Sequence, residues 1–157
     1  MVGLALVLAA GVAGEGWYLA AGPSAADDRP VAVGDLAARA VVDAAAQDVT
    51  EIASTSYRNY DEQVSQATTL MTPAFAASYR ATAQSLRPTF LDRRREIAAK
   101  VVASAVVRAT SHEVQALVFL DSQVSEEGGS PVTVPYRTLV TMTATDHGWL
   151  VSGIETR

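Results

Sequence analysis

After Lys100 the apolar residues change their repeat from about 3.6 to 2, and that change limits what the chain can fold into. Residues 101–110 are a valine-rich run, and residues 113–124 place Val114, Ala116, Val118 and Leu120 on one face of a strand. Ser111 and His112 make a short turn between the two. The stretch "SEEGGSP" has the composition of a hairpin loop. Beyond it, Val134, Tyr136, Thr138, Val140, Met142 and Ala144 alternate with Arg137, Leu139, Thr141 and Thr143. A tight turn at "TDHG" then leads into Trp149, Leu150, Val151 and Ile154. Four strands joined by short turns predict an antiparallel meander with one face to be covered.

The cover comes from upstream. Within residues 33–52, Val33, Leu36, Ala37, Ala40, Val41, Ala44, Ala45, Val49 and Ile52 keep helical spacing, which predicts an amphipathic helix. "TSYRNYDEQV" interrupts it, and residues 61–70 resume a weaker helical pattern. Thr72 followed by Pro73 is an N-cap and first-turn proline pair. Phe75, Ala76, Tyr79, Ala83 and Leu86 form the apolar stripe of the helix it opens, which Pro88 should end or bend. The fold class expected is α+β, with helices packed on a curved four-stranded antiparallel sheet, helices first and sheet last.

The N-terminal residues pose a separate question. From Met1 to Ala21 only Glu15 is charged, and at about 1.5 Å per residue a helix of that length spans a hydrocarbon core of roughly 30 Å. A charge at the centre of a span costs about 2.5–3.5 kcal/mol, less toward the interface. Trp17 and Tyr18, the pair enriched at headgroup level, follow directly, so Glu15, Trp17 and Tyr18 read as membrane-interface residues. The alternative role for Glu15 is a polar contact to another membrane helix. If Trp17 marks the interface, residues 1–16 are short for a span, which suggests a start further upstream. A cleavable signal peptide is the rival reading, because "SAA" at Ser24 to Ala26 offers small residues, but a cationic leader is lacking. The expected organisation is a transmembrane anchor at 1–22, a linker at 23–30 and an extracytoplasmic α+β domain at 31–157.

Composition narrows the chemistry. A net charge of −5 speaks against nucleic acid as a partner. The chain has no cysteine, which removes disulfides and thiolate chemistry. Its two histidines, His112 and His147, fall in turns and outside any ligand-spaced pair. No nucleophile elbow, phosphate loop or zinc motif occurs, so no catalytic, cofactor or metal residues are expected. Glu126 and Glu127 make at most a weak cation site. "DRRREIAAK" is the one basic concentration, and Arg93, Arg94 and Arg95 form a candidate interaction patch for anionic lipid or an acidic partner. The competing reading is a solvated helix end favoured by the helix dipole. Alanine (29 residues) and an arginine-to-lysine ratio of 11 to 1 are the habit of high-GC genomes.

Taken in order, the apolar segment, the alanine-rich helix, "SYRNYDEQVSQATTLMTPAFAASY", "VVASAVVRAT", "VQALVFLDSQV" and the closing "GWLV" resemble the Mce-associated membrane proteins of actinobacteria. That resemblance covers nearly the whole chain and rests on the order of elements. It implies a nuclear transport factor-like cone held outside the cytoplasmic membrane by a single pass. It further implies a noncatalytic accessory or stabilising subunit of an Mce-type lipid import complex, with shell proteins, permease and membrane lipid as partners. Tyr57, Tyr60, Phe75, Tyr79 and Trp149 carry it and are expected to pack in the core. Two other readings share the plan: a scaffold domain of a type IV secretion or conjugation-like system, and an apolar-ligand carrier or enzyme using the cone's cavity. An isomerase there would need an acid or base inside the pocket.

Overall fold

The computed structural model describes residues 35–156. The expected anchor, the linker and the interface residues Glu15, Trp17 and Tyr18 lie outside them. Among the described residues no helix is long and apolar enough to cross a membrane.

Helix α1 (Asp35–Ala53) opens the fold, followed by a two-residue strand β1 (Thr55–Ser56), helix α2 (Tyr60–Ala67) with a 3-10 turn at Thr68–Leu70, and helix α3 (Pro73–Asp92). Strands β2 (Glu96–Ala109), β3 (Glu113–Ser125), β4 (Val132–Thr145) and β5 (Gly148–Thr156) complete it. The sheet has five strands in the order β1-β2-β3-β4-β5, every neighbouring pair antiparallel. The α+β architecture and the meander are as expected, with two corrections. The sheet gains β1, too short to leave a periodicity, which pairs only with Glu96 and Ile97. Strand β2 begins at Glu96 rather than at residue 101, because Ala98 and Ala99 carry little β signal of their own and are held by Gln123 and Ser122 across the ladder.

The alternation puts the sheet's interior where the sequence places it. Val114, Ala116, Val118, Val140, Met142 and Val151 are fully buried, as is Thr138, whose Oγ1 donates to the Glu155 carbonyl at 3.0 Å. Each such valine or methionine contributes about 1.5–3 kcal/mol by leaving water. Helix α1 lies over this face through Ala38, Val41, Val42, Ala45, Val49 and Ile52. The stripe is rotated from the expected one in its first turns, where Leu36 is 82% exposed and Ala38 is buried. The buried set repeats at three and four residues counted back from Ile52, and the first turn overhangs the core.

Helix α3 starts at Pro73 as predicted, although Thr72 makes no side-chain cap bond and instead donates its N–H to the Val151 carbonyl at 2.9 Å. Pro88 does not end it. The carbonyl that the proline deprives of a partner belongs to Gln84, and both residues are exposed, so water can take the place of the lost bond. The helix runs one turn further and buries Phe90. It stops in a six-residue capping turn: Arg95 N–H donates to the Phe90 carbonyl and Arg94 N–H to the Leu91 carbonyl, with Arg94 in the left-handed region at φ 47°. Arginine stands where glycine is usual.

Asp48, half-buried on α1, has its carboxyl pushed up to about 6 by burial first and by neighbouring Glu51 second. A folded value above the ordinary 3.8 means that the contribution to stability is complete below about pH 4 and is lost as pH rises through 6. Asp48→Asn is therefore expected to stabilise the domain at pH 7.5 and to flatten that part of the pH profile. The gain is on the order of 1 kcal/mol once the water still screening half the group is allowed for. Urea midpoints at pH 4 and pH 7.5 for both proteins check it; an unchanged slope would contradict it.

Candidate functional site

Between the helices and the covered face of the sheet lies a hollow of about 210 Å³. Helices α2 and α3 supply Tyr60, Val64, Phe75, Tyr79 and Leu86, and the strands supply Ile97, Val124, Val134, Tyr136 and Ile154. The tyrosines fit because each phenol has an apolar body and one polar tip to satisfy. Tyr60 donates to the Ala83 carbonyl at 2.7 Å and Tyr79 to the Ile52 carbonyl at 3.3 Å. Burial pushes the Tyr60 hydroxyl up to about 12 and raises those of Tyr79 and Tyr136, so all three stay neutral at physiological pH. Tyr60 also stacks at a tilt on Phe90, with ring centroids 5.1 Å apart. The lining contains threonines, Ser122 and Arg95, but neither aspartate, glutamate nor histidine.

Arg95 is the residue that sequence reasoning misplaced. It opens the way into β2, is only 7% exposed, and lays its guanidinium over the Phe90 ring at 5.6 Å. Its Nε donates to Glu126 Oε1 at 2.8 Å, and its Nη2 donates to the same oxygen. Arg94 pairs with Glu127, and Arg93 lies 3.7 Å from the second oxygen of Glu126. The Glu127 N–H closes the knot on the Arg93 carbonyl at 3.1 Å. The only strongly basic run and the only paired acids of the β3–β4 loop thus satisfy one another. Arg95 is spent inside the fold, which leaves Arg93 and Arg94, both more than half exposed, as the part of the candidate patch within reach of an outside partner. Adjacent opposite charges on two segments were visible in the sequence; their pairing needed the strand register.

The remaining candidates fall as follows. His112 and His147 sit exposed in the β2–β3 and β4–β5 turns. Gly148, at φ 104°, supplies a backbone conformation that the second turn needs and that side chains resist. Tyr60 is buried, and Phe75, Tyr79 and Trp149 are partly buried against the core. Tyr57 stands outside both core clusters, with Arg58 at 5.3 Å over its ring. Among the described residues no group of three or more His, Asp or Glu gathers to hold a metal ion.

No protein-family model matches the sequence, and no curated protein matches it. Solved structures do match in shape. The periplasmic domain of DotI superposes with a TM-score of 0.67 at 10% identity, over 79% of this chain and 95% of that one. An IcmL-like type IV secretion system protein from Legionella pneumophila gives 0.65 at 11% identity, over 76% and 91%. CagV, a VirB8 homolog of the type IV secretion system of Helicobacter pylori, gives 0.60 at 12% identity, over 75% and 96%. The fold is nuclear transport factor-like. These matches overturn the expectation of an Mce-type lipid import subunit, since type IV secretion proteins are among the structures that this domain follows over almost their whole length. That expectation rested on the order of elements, which points to a fold and not to a function.

Proposed function

We propose that this chain is a noncatalytic scaffold domain of a type IV secretion or conjugation-like apparatus, tethered by its N-terminal apolar segment and held outside the cytoplasmic membrane. The observation that carries the reading is that type IV secretion proteins recur among the structures this domain matches, each over nearly its whole solved chain. The match takes in 91–96% of the three secretion proteins' solved chains, so the likeness is of a whole domain and not of a shared sheet. Two features of the hollow agree with it. Its ionisable side chains are phenols held neutral and an arginine already paired, which leaves nothing to take up or release a proton near pH 7. Its volume of about 210 Å³ is below the roughly 300–1,000 Å³ of small-molecule sites, which disfavours the carrier reading as well as an isomerase.

A scaffold works by holding a fixed shape and offering surfaces. The ion-paired loop, the bidentate Arg87–Asp61 link between α3 and α2 (2.8 and 2.7 Å) and the bridge from Met71 to Val151 serve the first need. The partners are other components of the same apparatus. Solubilised gently from native membranes, the chain should come out with them; recovery alone would count against the proposal.

A further inference from the structure

Strand β2 is fourteen residues long, but β1 covers only its first two. Beyond Ile97 no described strand pairs with its outer edge, apart from the Ala99 N–H, which donates to Ser54 Oγ at 3.1 Å. Sheets usually protect such an edge with charge or proline. Residues 101–107, "VVASAVV", carry neither, and the bulges after Val101 and after Val106 are the protection that this stretch has. Of the six large apolar side chains exposed among the described residues, Val102 (62%), Val106 (43%), Val107 (56%) and Phe119 (40%) gather here, Phe119 lying opposite Ala103. An uncharged edge with exposed apolar side chains is one that a further strand can extend.

The sequence of that edge identifies the strand. "VVASAVV" reads the same in both directions, and the symmetry extends outward through Lys100 and Arg108 to Ala99 and Ala109. We propose that the free edge of β2 pairs with the same edge of a second copy of this chain, antiparallel and centred on Ser104, joining two five-stranded sheets across a two-fold axis. Val101 then meets Val107, Val102 meets Val106, Ala103 meets Ala105, and Ser104 meets Ser104. Small residues oppose small and branched oppose branched, the matching that cross-strand pairs reward. The surfaces also match in charge, neutral against neutral. Lys100 comes opposite Arg108 at each end, so like charges limit the ladder to the seven central residues, while Asp121 stands beside Lys100 in the register. Bulges after Val101 and after Val106 bend the strand and limit it further.

At most seven residues a side is well short of the roughly 20–30 of a standard interface. The pairing is accordingly weak in dilute solution and gains from chains held side by side on one membrane. It does not depend on which apparatus the domain serves.

The chain lacks cysteine, which permits a direct test on the full-length protein in lipid nanodiscs carrying several copies, or in native membranes. Directly opposed residues in an antiparallel ladder have Cα atoms about 4.5–5.5 Å apart, within disulfide reach. Ser104→Cys should give a covalent dimer under mild oxidation. Ala103→Cys and Ala105→Cys should each fail alone and succeed when the two variants are mixed. Adding Val102→Lys and Val106→Lys to Ser104→Cys should abolish the product while leaving the unfolding midpoint of the domain in place, since both valines are exposed. A Ser104→Cys dimer no more abundant than that from Ser111→Cys in the neighbouring turn would overturn the proposal. So would capture of a different polypeptide at position 104, or dimers from Ala103→Cys alone.

Discussion

Glu126→Ala should destabilise the domain by about 2–3 kcal/mol, a large share of the 5–15 kcal/mol that holds a domain of this kind together. The arithmetic follows from Arg95. Its side chain is 9% exposed, and Glu126 takes two of its N–H groups, so removing the acid leaves a charge inside the fold with those donors unpaired. Breaking a fully buried pair costs about 3–5 kcal/mol; the lower figure here reflects the third of the Glu126 side chain that water still reaches. Because the penalty lies in the stranded charge and not in the lost attraction, Arg95→Met in the same chain should recover most of it. Denaturant midpoints of the single and double variants check both statements. A loss below about 0.5 kcal/mol for Glu126→Ala, the range of an ordinary surface change, would mean that Arg95 finds water and that the knot is ornamental.

Leu120→Ala should cost about 2–5 kcal/mol, and Phe119→Ala, one residue away, less than about 1. Leu120 is 1% exposed on the helix-covered face, and Phe119 is 40% exposed on the other. The larger side chain thus carries the smaller penalty. Thermal unfolding of the two variants measures the difference, and equal losses would mean that the strand's phase is wrong or that Phe119 is buried by a partner under the conditions used. Running the Phe119 variant in nanodiscs and as a dilute sample separates these.

Much of the fold was legible because burial on one face of a sheet writes a period of 2 into the sequence, and Val114 through Leu120 and Thr138 through Met142 keep that period without error. Less could be read where structure depends on partners distant in the chain. The two residues of β1 exist as a strand only because Glu96 and Ile97 stand opposite. Pro88 looked like a stop or a bend because its local rule is strong, yet the helix continues past it, since the rule concerns a carbonyl on an exposed residue. The actual stop is Arg94 in a left-handed turn, which no composition argument favours. Arg95 looked exposed for the same reason: three adjacent arginines suggest a wet surface until a loop thirty residues later supplies Glu126. The hollow left no periodic signal, since its lining comes from all three helices and all five strands and its tyrosines are indistinguishable in sequence from core aromatics.

Function was the least legible. A chain order of helices then meander is shared by proteins with unrelated work, and a fold does not fix a function. What separates the readings is the company the domain keeps. Crosslinking in intact cells, with a photoreactive residue placed at exposed Arg93 beside the paired loop, followed by identification of what is captured, is the most direct measurement of that. The account predicts membrane-bound components of a type IV secretion or conjugation-like apparatus. Recovery of lipid-importer shell proteins or permease, or of no protein at all under native expression, would contradict it.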